Sequence, residues 1–178
     1  AMALDVDSLI RIVYNGQGLP AAQLVPPGVA GFDPARKRPP FDPATAIALL
    51  DRTGYRGRDA QGYRLAPDGK PLTLTFTIFS GTVWREIQTL FRKNLDAIGV
   101  RVEFKVVPTQ DLFKEAAQGK FQINIHGRGG GPMGLLFGML YGPAPPENNE
   151  TRFRNAQYDR AFEAFLRAPD ARTRNAQA

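Results

Sequence analysis

The chain has 178 residues, of which 43% are hydrophobic and 22% charged, a composition typical of a globular domain that can bury a core. The absence of cysteine and the presence of one histidine exclude disulfides, thiolate metal sites and metal sites built from several histidines. A formal net charge of +6 permits binding to a polyanion, but the basic residues are scattered among 17 acidic ones.

The first predicted element is a helix over Asp5–Asn15, with an acidic first turn, an apolar stripe at helical spacing and a glycine directly after it. The stretch 16–41 is rich in proline and glycine but still contains several apolar side chains. We therefore expect an extended arm on the surface of the domain rather than a polar linker. A second helix is predicted from Asp42, an acidic N-cap followed by proline, to Gly54.

The central part of the chain alternates strands with helices. Three segments alternate apolar and polar side chains with the period of a strand: Leu72–Phe79, Val100–Val107 and Phe121–His126. A long amphipathic helix is predicted between the first two, with Thr82 as its N-cap and Gly99 after its end. A short helix between Thr109 and Gly119 precedes the third strand. This order predicts an α/β fold, a βαβαβ core with a small, mostly parallel sheet flanked by helices.

The strands raise the question of what covers the sheet. A parallel sheet covered on both faces normally has continuous apolar strands, whereas these three alternate. Either one face is open, or the covering part lies outside this chain. We favour the second interpretation, because the chain turns helical almost at once and ends in a polar run. Two more helices are predicted after the third strand, over Leu135–Tyr141 and Asn155–Leu166.

The third strand leads directly into a glycine loop, Gly127–Gly131. A phosphate-binding P-loop needs a lysine and a serine or threonine after its last glycine, and neither is present. The dinucleotide-binding pattern begins correctly, but its sixth position is Pro132. A small enzyme or nucleotide-binding domain that uses this loop remains an alternative, and a simple turning loop is the commoner role of such glycines.

Candidate ligand-binding residues follow the carboxyl ends of the strands, where open α/β sheets bind their ligands. They are Ser80, Trp84, His126, Gly127, Arg128 and Gly129. Arg128 could form paired hydrogen bonds with a carboxylate or phosphate, although a solvated arginine is the simpler interpretation. Trp84 could stack on a ligand, but it also lies on the apolar stripe of its helix. His126 has no nucleophile or acidic partner beside it in sequence, so no catalytic residue is predicted.

A series of short motifs runs through nearly the whole chain. They are Ala1–Asn15, Pro26–Gly28, Gly31–Asp33, Asp42–Leu50, Gly54-Tyr55, Asp68–Leu72, Ile87-Gln88, Leu95–Val100, Gly119–Phe121, Arg152–Asn155, Tyr158-Asp159, Pro169-Asp170 and Arg172. Their order and spacing resemble the extracytoplasmic solute-binding proteins of peptide, nickel and related ABC importers, the dipeptide/oligopeptide-binding class. In the first motif, Val6-Asp7-Ser8 replaces the usual Asp-Arg of that class.

The resemblance implies that residues 1–178 form a single lobe, most of the C-terminal one, of a two-lobed type II periplasmic binding protein. It implies a small-molecule solute held between the lobes and an ABC permease in the membrane as a partner, with no catalysis, cofactor or nucleic acid. It also implies a periplasmic or extracytoplasmic location, although the chain has no signal peptide of its own. The isolated lobe is expected to be a monomer or a weak homodimer.

The glycine loop departs from the class that the chain resembles. Peptide-binding members commonly have a tryptophan after this strand and, a few residues later, an aspartate that pairs with the amino group of the ligand. This chain has only glycines and Arg128 there. We therefore expect a solute that is not a free-amino peptide and that carries negative charge or is bulky.

Overall fold

The computed structural model describes residues 2–29, 31–125, 137–170 and Thr173. The helices and strands are α1 (Val6–Val13), α2 (Pro43–Arg52), β1 (Thr73–Phe79), α3 (Thr82–Asp96), β2 (Arg101–Val107), α4 (Thr109–Ala117), β3 (Ile123–Asn124) and α5 (Ala156–Arg167). The chain divides into two compact units, described separately below. The first comprises Ala1–Pro20, Pro39–Thr109 and Phe121–His126, and the second Ala21–Arg38, Gln110–Lys120 and Gly127–Ala178. That residues 1–178 form one lobe stays a prediction.

The first unit is built on a three-stranded parallel sheet in the order β2-β1-β3. The pairing of β1 with β2 runs from Thr73 opposite Arg101 to Phe79 opposite Val107. On the other side of β1, Phe76 and Thr77 pair with Ile123 and Asn124. These pairings confirm the predicted α/β fold, with α3 as the connection between the first two strands.

Within the described residues, the third strand is shorter than the predicted Phe121–His126, of which His126 lies outside them. The ladder to β1 described there consists of Ile123 and Asn124, and the Ile125 N–H continues it with a hydrogen bond to the Thr77 carbonyl (3.1 Å). One step before the ladder, the Gln122 side-chain oxygen accepts the hydrogen bond of the Thr75 N–H (2.6 Å) in place of a backbone carbonyl. Alternation reports which side each residue faces, but not how many residues pair.

The core of the first unit lies on one face of the sheet. It contains Ala3, Phe76, Ile78, Leu95, Ile98, Val100 and Val102. Ile78, on the central strand, is 0% exposed, and the Phe76 ring lies 5.9 Å from that of Phe91 on α3 and 5.7 Å from that of Phe104 on β2. On the opposite, polar face, Glu103 and Lys105 are exposed, whereas Thr77 on the central strand is 2% exposed.

Three helix starts test the predicted caps. Asp5 caps α1 by accepting the Ser8 N–H (2.9 Å), and Asp42 caps α2 by accepting the Thr45 N–H (2.9 Å). The prediction of Thr82 as the N-cap of α3 was wrong, because Thr82 is already the first helical residue and Gly81 precedes it. Gly81 has φ +129°, a conformation that glycine adopts readily, so the turn after β1 is completed one residue earlier than expected.

A buried arginine that the sequence pattern does not predict lies at the amino edge of the sheet. Arg64 is 1% exposed, and its Nε donates to the Ile98 carbonyl (2.8 Å). Its Nη1 donates to Asp51 Oδ1 and to the Tyr55 carbonyl, both at 2.5 Å. The hydrogen bond from Arg64 lowers the pKa of Asp51 below its ordinary value. Arg64 therefore joins the end of α2 to the turn between α3 and β2.

The second unit contains α5, whose Phe162 and Phe165 are buried. Asn155 caps the helix by accepting the N–H groups of Gln157 and Tyr158, so the predicted helix over Asn155–Leu166 is confirmed with a shift of one residue at each end. Of the predicted helix over Leu135–Tyr141, the first two residues lie outside the described part, and only Phe137 and its successor are helical within it.

Two further contacts hold loops of the second unit. The Tyr141 hydroxyl donates to Glu163 Oε1 (3.0 Å), and this hydrogen bond raises the pKa of Tyr141. In the proline- and glycine-rich stretch, the Gln23 amide and the Asp33 backbone exchange two hydrogen bonds (2.9 and 3.2 Å). The described residues of 16–41 include no helix or strand, and Val25 is buried.

Candidate functional site

The carboxyl edge of the sheet is the candidate site. Because the three strands are parallel, their carboxyl ends lie at the same edge, the position at which open α/β sheets bind ligands. Ser80 follows the last residue of the central strand and is exposed there. Its hydroxyl can donate to or accept from a ligand.

The start of α3 lies directly beyond Ser80. The N-cap of this helix is Gly81, so no cap hydrogen bond from a side chain is present within the described residues, and Thr82 and Val83 at its first two positions are exposed, Val83 at 44%. The Thr82 hydroxyl instead accepts a hydrogen bond from the Arg85 guanidinium (3.0 Å). Backbone N–H groups at such a helix start carry partial positive charge, which favours an anionic or carbonyl-bearing ligand.

Trp84 is half-buried in the first turn of α3. Its ring meets that of Phe79 at 5.2 Å with an interplanar angle of 63°, and it packs against the core cluster. These contacts fix the ring beside the end of the central strand. A role for Trp84 in stacking on a ligand stays a prediction.

The remaining predicted site residues, His126, Gly127, Arg128 and Gly129, lie outside the described residues. The last described residue before them is Ile125, whose N–H is bonded to the Thr77 carbonyl of the central strand. Their contribution to the site stays a prediction.

One residue near this edge was not among the candidates. Asn124 pairs with Thr77 in the β1–β3 ladder, and the Oδ1 and Nδ2 atoms of its side chain each expose less than 1 Å². Neither atom has a hydrogen-bond partner among the described residues. Strand alternation places Asn124 on the polar face with Gln122, but it does not reveal that one amide is paired and the other is not.

Other features of the described residues give weaker evidence of a binding site than the carboxyl edge does. A groove of about 350 Å³ between α1 and α3 is lined in part by Ile12 and Leu90, with Arg85, Lys93 and Glu86 around it. Because both positive and negative side chains surround this groove, its charge favours neither an anionic nor a cationic ligand. Within the described ranges, no group of three His, Cys, Asp or Glu side chains could hold a metal ion, and no helix has the length and apolar character that crossing a membrane requires.

Comparison with known proteins gives a consistent result. The family of bacterial extracellular solute-binding proteins, family 5 (middle part), matches residues 1–144. Di/tripeptide-binding protein 2 of Pseudomonas aeruginosa is 30% identical over 172 residues, which are 94% of this chain and 30% of that protein. The chain thus spans about 30% of the length of this curated relative.

Two solved structures share the fold over 99% of this chain and 36% of their own, each at 21% identity. One is an ABC-transporter periplasmic oligopeptide-binding protein from Thermotoga maritima with bound mannohexaose (TM-score 0.82). The other is NikA from Brucella suis in complex with Fe(III)-EDTA (TM-score 0.81). The parallel sheet flanked by helices is therefore part of a type II periplasmic-binding-protein fold. With the match over residues 1–144, the chain belongs to the family 5 bacterial extracellular solute-binding proteins.

Proposed function

We propose that this chain is one lobe of the solute-binding component of an ABC-type importer, which captures a small solute in a cleft between two lobes. The family match over residues 1–144 carries the proposal. The geometry supports it, because the carboxyl edge of the sheet presents an exposed serine and a helix start whose N-cap is a glycine. The matched family consists of solute-binding proteins, and nothing in the comparisons supports an enzyme or a nucleotide-binding domain.

We propose a peptide-like or similarly polar small molecule as the solute. The Pseudomonas aeruginosa relative is named for di- and tripeptides. The two solved structures hold mannohexaose and Fe(III)-EDTA, so related folds accommodate very different ligands. The residues at the carboxyl edge, rather than the fold, therefore decide which solute is bound.

The proposed contact residues are Ser80, Trp84, His126, Gly127, Arg128 and Gly129. Ser80 and the start of α3 supply hydrogen-bonding groups, and Trp84 supplies an aromatic surface. Arg128 supplies positive charge where peptide-binding members of the class that the chain resembles supply an aspartate. A guanidinium repels an ammonium group and forms paired hydrogen bonds with a carboxylate. The preferred solute therefore has no free amino group at this position.

The other partners follow from the same proposal. The rest of the cleft comes from an N-terminal lobe of the same protein, and the loaded receptor delivers its solute to an ABC permease in the membrane. Delivery of this kind takes place in the periplasm or another extracytoplasmic space.

The proposal can be tested by measuring what the full-length protein that contains this chain binds. Native mass spectrometry would identify a co-purified solute, and titration calorimetry would compare Ala-Ala with N-acetyl-Ala-Ala. We expect tighter binding of the acetylated peptide and a loss of about tenfold in its affinity in Arg128→Ala, the effect of one charged hydrogen-bonded contact.

Arg52→Ala is the matched control, because Arg52 is an exposed arginine in the last turn of α2 and is not among the proposed contact residues. It should bind as the parent protein does. Tight binding of Ala-Ala, unchanged in Arg128→Ala, would contradict the proposed solute preference. Failure to bind or co-purify any small solute would contradict the receptor function.

A further inference from the structure

Two side chains in the described residues have buried polar atoms without a hydrogen-bond partner, and they differ in how many of their polar atoms are paired. In Arg64 only Nη2 is unpaired, while Nε and Nη1 make three hydrogen bonds between them. In Asn124 both Oδ1 and Nδ2 are unpaired. The protein around Arg64 is built to hold its guanidinium, whereas the described residues around Asn124 supply nothing to its carboxamide.

Asn124 and Arg64 also lie at opposite edges of the sheet. Arg64 lies at the amino edge of the sheet, where its backbone N–H binds the Gly99 carbonyl just before β2. Asn124 is the last residue of β3 and lies toward the carboxyl edge, opposite Thr77 on the central strand. This edge is the one that carries Ser80 and the proposed solute site.

A second amide on the same strand provides a comparison. Gln122 lies two residues before Asn124, so both side chains project to the polar face of the sheet. The Gln122 oxygen accepts from the Thr75 N–H at 2.6 Å and thereby closes the ladder between β1 and β3. Gln122 is therefore a structural amide, and Asn124, with the same functional group, is not.

An unpaired buried amide lowers stability, because its polar atoms lose water and gain no replacement. A leucine of similar shape would avoid that loss. An asparagine at such a position is favourable where an ordered water or another state of the protein supplies its hydrogen bonds. The proposed solute binding at the carboxyl edge is a change of state at the edge toward which Asn124 lies.

We propose that Asn124 is a positioning residue for solute binding, whose carboxamide gains its hydrogen bonds in the solute-bound protein and lacks them without solute. Asn124 thereby destabilises the unbound protein relative to the bound one and adds to solute affinity. The inference rests on the proposed receptor function and concerns the same site.

The test compares Asn124→Leu with Gln122→Leu in the full-length protein that contains this chain. The melting temperature would be measured without solute, and the affinity for N-acetyl-Ala-Ala and Ala-Ala by calorimetry. For Asn124→Leu we expect an equal or higher melting temperature together with about tenfold weaker binding of whichever peptide the parent protein binds. For Gln122→Leu we expect the opposite, a lower melting temperature with unchanged affinity, because the Thr75 N–H loses its partner.

A purely structural role of Asn124 would not produce this opposite pair of effects. A lower melting temperature in Asn124→Leu, with or without weaker binding, would show a paired structural amide and overturn the inference. Unchanged binding in Asn124→Leu would also overturn it, while the receptor function would stand. If the parent protein bound neither peptide and carried no solute, the receptor function would fail and this inference with it.

Discussion

Arg64 shows how one residue can join several segments of the first unit. Its side chain binds the carbonyls of Ile98 and Tyr55 and the carboxylate of Asp51, while its backbone N–H binds the Gly99 carbonyl. Such a network stabilises only as a whole, since removal of one partner leaves a buried charge unpaired. The sequence around Arg64 predicts only a loop. The burial of Arg64 cannot be predicted from it, because the partners of its side chain are distant in sequence.

The cap of α2 gives a prediction at the residue scale. The Thr45 hydroxyl donates to Asp42 Oδ2 (2.6 Å) and the Thr45 N–H to Oδ1 (2.9 Å), and these hydrogen bonds lower the pKa of Asp42 below its ordinary value of 3.8. A lowered pKa in the folded state means that ionised Asp42 stabilises the protein above about pH 4, and that this contribution is lost as the pH falls through the folded-state pKa.

We therefore expect Asp42→Ala to lower the urea midpoint at pH 7 and to have a smaller effect at pH 3. Asp42→Asn is the control, because its side-chain oxygen caps the helix without titrating. Its difference from the alanine variant should change little with pH. An Asp42→Ala effect that is equal at both pH values would contradict the proposed role of the carboxylate.

At the scale of elements, the end of α3 is fixed by a glycine. Gly99 has φ +74°, and a Cβ at this position would overlap Nη1 of Arg58 and lie 3.3 Å from the Gly62 carbonyl oxygen. The Arg58 Nη1 is itself bonded to that carbonyl (2.7 Å), so it cannot move away without losing the bond. The turn between α3 and β2 therefore requires glycine both for its backbone conformation and for space.

Gly119, after α4, separates these two requirements. It has φ +70°, but a Cβ there would meet no atom of the described residues within 4 Å. We expect Gly119→Ala to cost about 1 kcal/mol, the conformational strain alone, and Gly99→Ala to cost more, in urea unfolding at pH 7. Equal effects of the two substitutions would show that the contact with Arg58 and Gly62 is easily relieved.

The elements also show what periodicity can predict. The alternation of β1 and β2 placed these strands within one residue of their observed bounds, and the apolar stripe placed α3 within two, because each spacing indicates one buried face. For β3 the same alternation predicted six residues where two are paired, because the Gln122 side chain replaces a backbone partner. The N-cap of α3 is Gly81 rather than the predicted Thr82, and the reason is again local, because the turn after β1 needs the positive φ of Gly81.

At the scale of the whole molecule, the proposed cleft needs a second lobe. The chain corresponds to about 30% of its Pseudomonas aeruginosa relative. A solute at the carboxyl edge of this sheet would keep one side in water if this chain bound it alone, whereas closure of two lobes removes water from both sides.

We therefore expect the 178-residue chain to bind the co-purified solute at least about a hundredfold more weakly than the full-length protein that contains it, a difference of about 2.7 kcal/mol. Calorimetry with both proteins at the same ionic strength would measure this difference. Circular dichroism of the chain alone would confirm that it is folded in the comparison. Equal affinities would contradict a cleft shared between two lobes.

The sequence by itself determined the fold class, the parallel order of strands and helices, and the resemblance to solute-binding proteins, since these follow from spacing and from the order of motifs along the chain. It also placed Ser80 and Trp84 at the carboxyl edge, because a residue that follows a strand must lie at its end. Only the tertiary structure decided that Arg64 is paired and buried, that β3 is short, and that the Asn124 carboxamide has no partner in the described residues. Hydrogen-bond pairing depends on atoms that distant segments bring together, and spacing along a chain carries no record of them.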